Sequence, residues 1–152
     1  MRKFLVTALM LALSVPALAH AVVRTDSGTS ESAPGKYETY RLQVPVEKEI
    51  ATVQVKLFIP KGLEVGNFMP VSGWTRSFEK DSSGIVTTVT WKGSLEPMEF
   101  VRFLFSAKNP ASEGDLSFVV EQTYLDGTVV AWKGAAGPTP ASKVKIVEPL
   151  KK

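Results

Sequence analysis

The stretch Leu116–Trp132 reads Leu-Ser-Phe-Val-Val-Glu-Gln-Thr-Tyr-Leu-Asp-Gly-Thr-Val-Val-Ala-Trp. Two apolar, β-branched and aromatic runs, Leu116–Tyr124 and Thr128–Trp132, flank Asp126-Gly127. Asp-Gly between such runs favours a tight hairpin, because glycine accepts the positive φ that the turn requires. The same period-two pattern extends outward in both directions. Tyr40, Leu42 and Val44 alternate with Arg41 and Gln43, and Val53, Val55, Leu57 and Ile59 alternate with Gln54 and Lys56. Further runs cover Ile85–Trp91, Phe100–Phe105 and Lys143–Val147. Pro60-Lys61-Gly62, Ser72-Gly73, Ser82-Ser83-Gly84 and Lys108-Asn109-Pro110 punctuate them. Short strands at this spacing, with no amphipathic helix, predict an all-β protein: a single antiparallel β-sandwich of immunoglobulin- or cupredoxin-like type.

The first residues carry a different message. Arg2 and Lys3 precede an apolar run from Phe4 to Val15, then Pro16 and the small-residue pattern Ala17-Leu18-Ala19. That is the layout of a secretory signal peptide, and the run is shorter than the roughly 20 residues a bilayer span needs. Residues 1–19 are therefore expected to be cleaved between Ala19 and His20, leaving 20–152 as one exported domain. The expected location is the periplasm, or alternatively the medium. The chain ends at Lys152 without an apolar anchor, so delivery to a membrane partner is expected to occur by diffusion.

Cleavage rewrites the charge. Of 18 basic residues Arg2 and Lys3 are lost, which leaves 16 against 15 acidic ones. The isoelectric point near 9.2 thus owes much to the targeting segment, and no Lys/Arg cluster with interleaved aromatics points to nucleic acid. With no cysteine, disulfides, thiolate metal sites and cysteine nucleophiles are all excluded. A single histidine excludes multi-histidine metal centres, and no base–nucleophile or paired-acid motif marks an enzyme.

That single histidine, His20, becomes the first residue of the processed chain. An N-terminal histidine offers its α-amine and its ring Nδ1, which together close a six-membered chelate on a metal ion. The amine titrates near pH 7.7–8.0, so a metal displaces only a loosely held proton. Nitrogen donors joined by a carboxylate suit tetragonal Cu(II). A soft Cu(I) site finds little support from Met69 and Met98, the methionines beyond residue 19. The competing reading is that His20 simply begins the chain.

The order of several segments carries a resemblance. They are Gly35–Tyr40, Val44-Pro45-Val46-Glu47-Lys48, Val53–Leu63, Pro70 with Gly73-Trp74, Val89-Thr90-Trp91, Ala107–Pro110 and Gln122–Trp132. With His20 at the cleavage point, the chain resembles the YcnI-like domain family of exported bacterial copper-binding β-sandwich proteins. The resemblance implies a monohistidine brace: His20 holds Cu(II) through amine and imidazole, Glu47 supplies the carboxylate, and Trp132 packs beside the metal. Its implied role is copper trafficking, buffering or homeostasis, with copper and a membrane copper transporter or another copper carrier as partners. Taken alone, Glu47 reads as an exposed strand-end carboxylate, and Trp132, like Trp74 and Trp91, as core packing. Met69 is expected to pack as well. The stretch Thr25–Pro34 is longer and more serine-rich than the family pattern and lies between His20 and Glu47. Rival readings are a CopC-like carrier, which needs more His or Met ligands, a metal-free interaction module, and an oxidase using the same copper.

Overall fold

In the computed structural model, which describes residues 20–149, the alternating runs resolve into eleven strands. These are β1 (Val22–Thr25), β2 (Glu31–Ser32), β3 (Tyr37–Pro45), β4 (Thr52–Phe58), β5 (Glu64–Phe68) and β6 (Thr75–Lys80). There follow β7 (Val86–Leu95), β8 (Phe100–Lys108), β9 (Gly114–Tyr124), β10 (Val129–Trp132) and β11 (Ser142–Ile146). The expected signal peptide, residues 1–19, lies outside the described residues.

The strands form two layers. One sheet runs β1-β3-β8-β5; the other runs β2-β11-β9-β4-β7-β6, with β10 paired to β9 alongside β11. The pairings are antiparallel except for the parallel contact of β2 with β11. This is the predicted sandwich. Its core is built from the inward parity of each strand: Tyr40, Leu42 and Val44 from β3, Phe103 and Phe105 from β8, and Phe118 and Val120 from β9. Aromatic contacts lock the layers, with Trp91 stacked on Phe103 at 4.4 Å and Trp74 meeting Phe103 edge-on at 5.2 Å. Trp74 and Trp91 are thus packing residues, as expected.

The predicted runs agree with β3, β4, β7, β8, β9, β10 and β11 to within a few residues at their ends. Four strands were not anticipated. β5 and β6 are edge strands, and β6 is exposed along its whole length, so neither shows the alternation that burial imposes. β1 and β2 are too short to show a period. Met69 corrects an expectation: it is half exposed and held by its backbone N–H to Leu104 rather than buried.

The serine-rich stretch folds away from the Glu47 end. Its first turn is closed by Thr25 and Thr29, and its last part forms β2 against β11. In the antiparallel β1–β3 ladder, Thr25 lies opposite Tyr40 whereas Val22 lies opposite Gln43. The insertion therefore leaves β1 at the end remote from Pro45, and His20 is free to approach Glu47.

Candidate metal centre

The site is assembled where three chain segments meet at one end of β3. Continuing the β1–β3 register by two residues sets His20 opposite Pro45, two residues before Glu47. Ala21 is fully buried, which anchors the strand immediately after the histidine. β1 is also tied across to the other sheet: the Val23 N–H donates to Ser142 Oγ at 2.8 Å, and that hydroxyl donates to the Val23 carbonyl at 3.1 Å. An edge strand next to the chain's first described residues is thereby bonded on both sides.

Glu47 sits on the loop from residue 46 to 51. The loop is pinned at both ends, by the Val46 N–H to the Glu99 carbonyl and by the Leu125 N–H to the Ala51 carbonyl. Lys48 reaches over it, with Nζ 4.5 Å from the Tyr124 ring and donating to Thr128 Oγ1 at 2.9 Å. Glu47 is exposed as a residue, yet partial desolvation raises its carboxyl pKa while the His20 ring pulls it down. The carboxylate and the imidazole are thus close enough to interact electrostatically. Tyr124, beneath the loop, has its hydroxyl pKa raised by burial and is contacted by the Glu47 backbone.

Trp132 closes the site from β10. Its ring centroid is 5.2 Å from that of His20, at an interplanar angle of 56°. It is fully buried, so it serves the core and the histidine together. His20 and Trp132 therefore meet, and Glu47 lies two residues beyond the position opposite His20, although 85 positions separate Glu47 from Trp132 in the chain. Each arrives on a different strand end.

The arrangement fits a metal ion on chemical grounds. His20 Nδ1 is buried and has no hydrogen-bond partner in the protein, which is the condition of a nitrogen kept available as a ligand. No group of three or more His, Cys, Asp or Glu side chains gathers among the described residues. A site here must therefore draw on few side chains.

Sequence reasoning missed Gln122 and Tyr124. Gln122 is fully buried and donates from Nε2 to the Pro45 carbonyl at 2.9 Å and to Thr52 Oγ1 at 2.7 Å. It bridges the two ends of the Glu47 loop. The register of β4 shifts between Thr52 and Gln54 against both neighbouring strands, a bulge beside the site. The available signal was a polar side chain at the inward parity of an otherwise apolar strand.

Residues 20–149 match the family described as "Domain of unknown function (DUF1775)". The chain is 37% identical over 128 residues to the copper-binding protein CutI of Bacillus subtilis (strain 168). That match covers 82% of this chain and 60% of CutI, so the chain spans about three-fifths of the relative's length. Among solved structures, an uncharacterized protein from Nocardia farcinica with an immunoglobulin-like fold superposes with a TM-score of 0.73 at 27% identity, covering 85% of this chain and 99% of that one. A cohesin module from Clostridium perfringens superposes at 0.53 with 9% identity, over 84% of this chain and 93% of the module. The latter likeness is one of fold alone.

Proposed function

The chain belongs to the DUF1775 family, and from that premise we propose that it is an exported Cu(II)-binding protein acting in copper trafficking, buffering or homeostasis. Cleavage after Ala19 turns the backbone amide of His20 into a primary amine. His20 then supplies amine and Nδ1, and Glu47 supplies the carboxylate, a nitrogen–oxygen donor set of the kind Cu(II) prefers. The carboxylate also offsets part of the ion's charge, and Trp132 restricts solvent at the histidine. Binding through an amine and an imidazole releases protons, so affinity falls as the solution is acidified. Delivery is from the periplasm or the medium to a membrane copper transporter or another carrier.

The observation that carries this reading is the buried, unpartnered Nδ1 of His20 beside Trp132 and within electrostatic reach of Glu47. The copper-binding designation of CutI supports the choice of metal. The experiment is a comparison of two proteins, one beginning at His20 and one carrying a single extra residue before it. The first is expected to take up one equivalent of Cu(II) with nitrogen hyperfine structure in its EPR spectrum. In the second, the amine has become an amide and binding should be greatly weakened. Equal binding by both would overturn the brace.

A further inference from the structure

Three buried side-chain atoms among the described residues have no hydrogen-bond partner in the protein: His20 Nδ1, Gln122 Oε1 and Trp132 Nε1. They sit on residues that neighbour one another. The His20 and Trp132 rings are in contact at 5.2 Å, and Gln122 is bonded to the carbonyl of Pro45, the residue opposite which His20 falls. Within the β9–β10 ladder Val130 lies opposite Gln122 and Trp132 opposite Val120. Gln122 and Trp132 are therefore diagonal neighbours on the inward face, a spacing that long side chains span.

Buried amides elsewhere are treated differently. Asn109 accepts from the Tyr40 hydroxyl and donates to both Ser32 Oγ and the Ala33 carbonyl, so its carboxamide is fully engaged. Gln122 spends both amide hydrogens on Pro45 and Thr52, which leaves Oε1 as an acceptor only. Trp132 Nε1 is a donor only, and His20 Nδ1 is an acceptor when the ring is neutral with its proton on Nε2. One donor and two acceptors are the complement of a water molecule, which accepts one hydrogen bond and donates two. Buried waters make about three such bonds, and each buried polar atom left unpaired costs roughly 1–3 kcal/mol.

We propose that His20, Gln122 and Trp132 form a binding site for a single water molecule, which accepts from the indole N–H and donates to the glutamine oxygen and the imidazole Nδ1. The water fixes the His20 tautomer in the metal-free protein and holds the ring in place. The placement of this water at a copper centre rests on the preceding proposal; the water site in the metal-free protein does not. Gln122 has a second task as a positioning residue, because its amide group bridges the ends of the loop that carries Glu47.

The test uses the protein as exported and stripped of metal. In the wild type, the Trp132 indole proton is expected to show magnetisation transfer from a long-lived water, and the ¹⁵N shifts of His20 should report the Nε2–H tautomer. Gln122→Met is expected to abolish the water signal and move the indole resonance. Trp132→Phe, which spares the Glu47 loop, is expected to shift the His20 tautomer balance. A merely structural glutamine would change thermal stability without touching the indole water signal. No bound water at the indole in the wild type, or an unchanged signal in Gln122→Met, overturns the site. If the metal-free protein shows the water yet Cu(II) fails to bind, the water site stands and the copper reading falls.

Discussion

Tyr40 has no solvent exposure, and its hydroxyl donates to Asn109 Oδ1. Burial, reinforced by the nearby Glu38 carboxylate, pushes its pKa up to about 12 from the model-compound value of 10.0. The folded state therefore holds the phenolic proton more tightly than the unfolded chain. The resulting stability is intact below pH 10 and is lost as pH rises towards 12, by at most about 2.7 kcal/mol at 1.36 kcal/mol per pH unit. Denaturant titrations between pH 8 and 12 should show this slope, and Tyr40→Phe should flatten it while costing about 1 kcal/mol at neutral pH. Glu47 makes a different prediction, because little of the fold depends on an exposed carboxylate. Glu47→Gln should leave the metal-free melting temperature nearly unchanged. It should lower Cu(II) affinity by no less than the roughly 10–100-fold that follows loss of a supporting partner. An unaltered EPR spectrum in that variant would remove Glu47 from the ligand set.

β1 shows how one strand serves both sheet and site. Its four residues pair with β3 on one side and are bonded on the other by a single hydroxyl, that of Ser142 at the start of β11. Ser142→Ala leaves the N–H of fully buried Val23 without its partner, while the Val23 carbonyl keeps the Arg24 guanidinium at 2.8 Å. The expected cost is about 1–3 kcal/mol, with faster hydrogen exchange concentrated in β1 and weaker copper binding through a looser His20. Slow exchange persisting at Val23 in that variant would show that the hydroxyl does not hold the strand. β7 supplies a second case. A Cβ on Gly93 would stand 2.5 Å from Cδ2 of Trp74, so Gly93→Ala must displace the indole from Phe103. A loss of about 1–3 kcal/mol is expected from overpacking, visible as a lower melting temperature. Elements of this kind differ in how plainly they are written. β9 alternates because one face is core, and its Asp-Gly turn is explicit in the chain. β6, exposed on both faces, has no such imprint, and β1 owes its place to a cross-sheet hydroxyl that no local pattern encodes.

At the scale of the whole molecule, a ligand that binds only the folded state stabilises it by mass action. Cu(II) at a hundredfold excess over its dissociation constant should add about 2.7 kcal/mol, or roughly 5–10 °C in melting temperature for a chain of this size. The protein with a residue added before His20 should show no such increment, a comparison that scanning calorimetry makes directly. Much of the proposed centre could be named from the chain. The position of His20 after Ala17-Leu18-Ala19 marked the histidine, and the resemblance pointed to Glu47 and Trp132. Gln122 showed only as a polar residue at the inward parity of an apolar strand, and Tyr124 not at all, because their roles depend on which loop lies above them and not on their own neighbours. The sequence by itself determined the sandwich, since alternation at period two is the direct imprint of strands with one face in the core. It determined the solitary histidine too, through composition. Only the tertiary structure decided that the serine-rich insertion leaves β1 at its far end and that His20 falls opposite Pro45. The same is true of the contact between the imidazole and the indole, and of the glutamine that bridges Pro45 and Thr52. Such meetings are set by long-range register and sheet packing, where the partners are tens of residues apart and no local pattern records them.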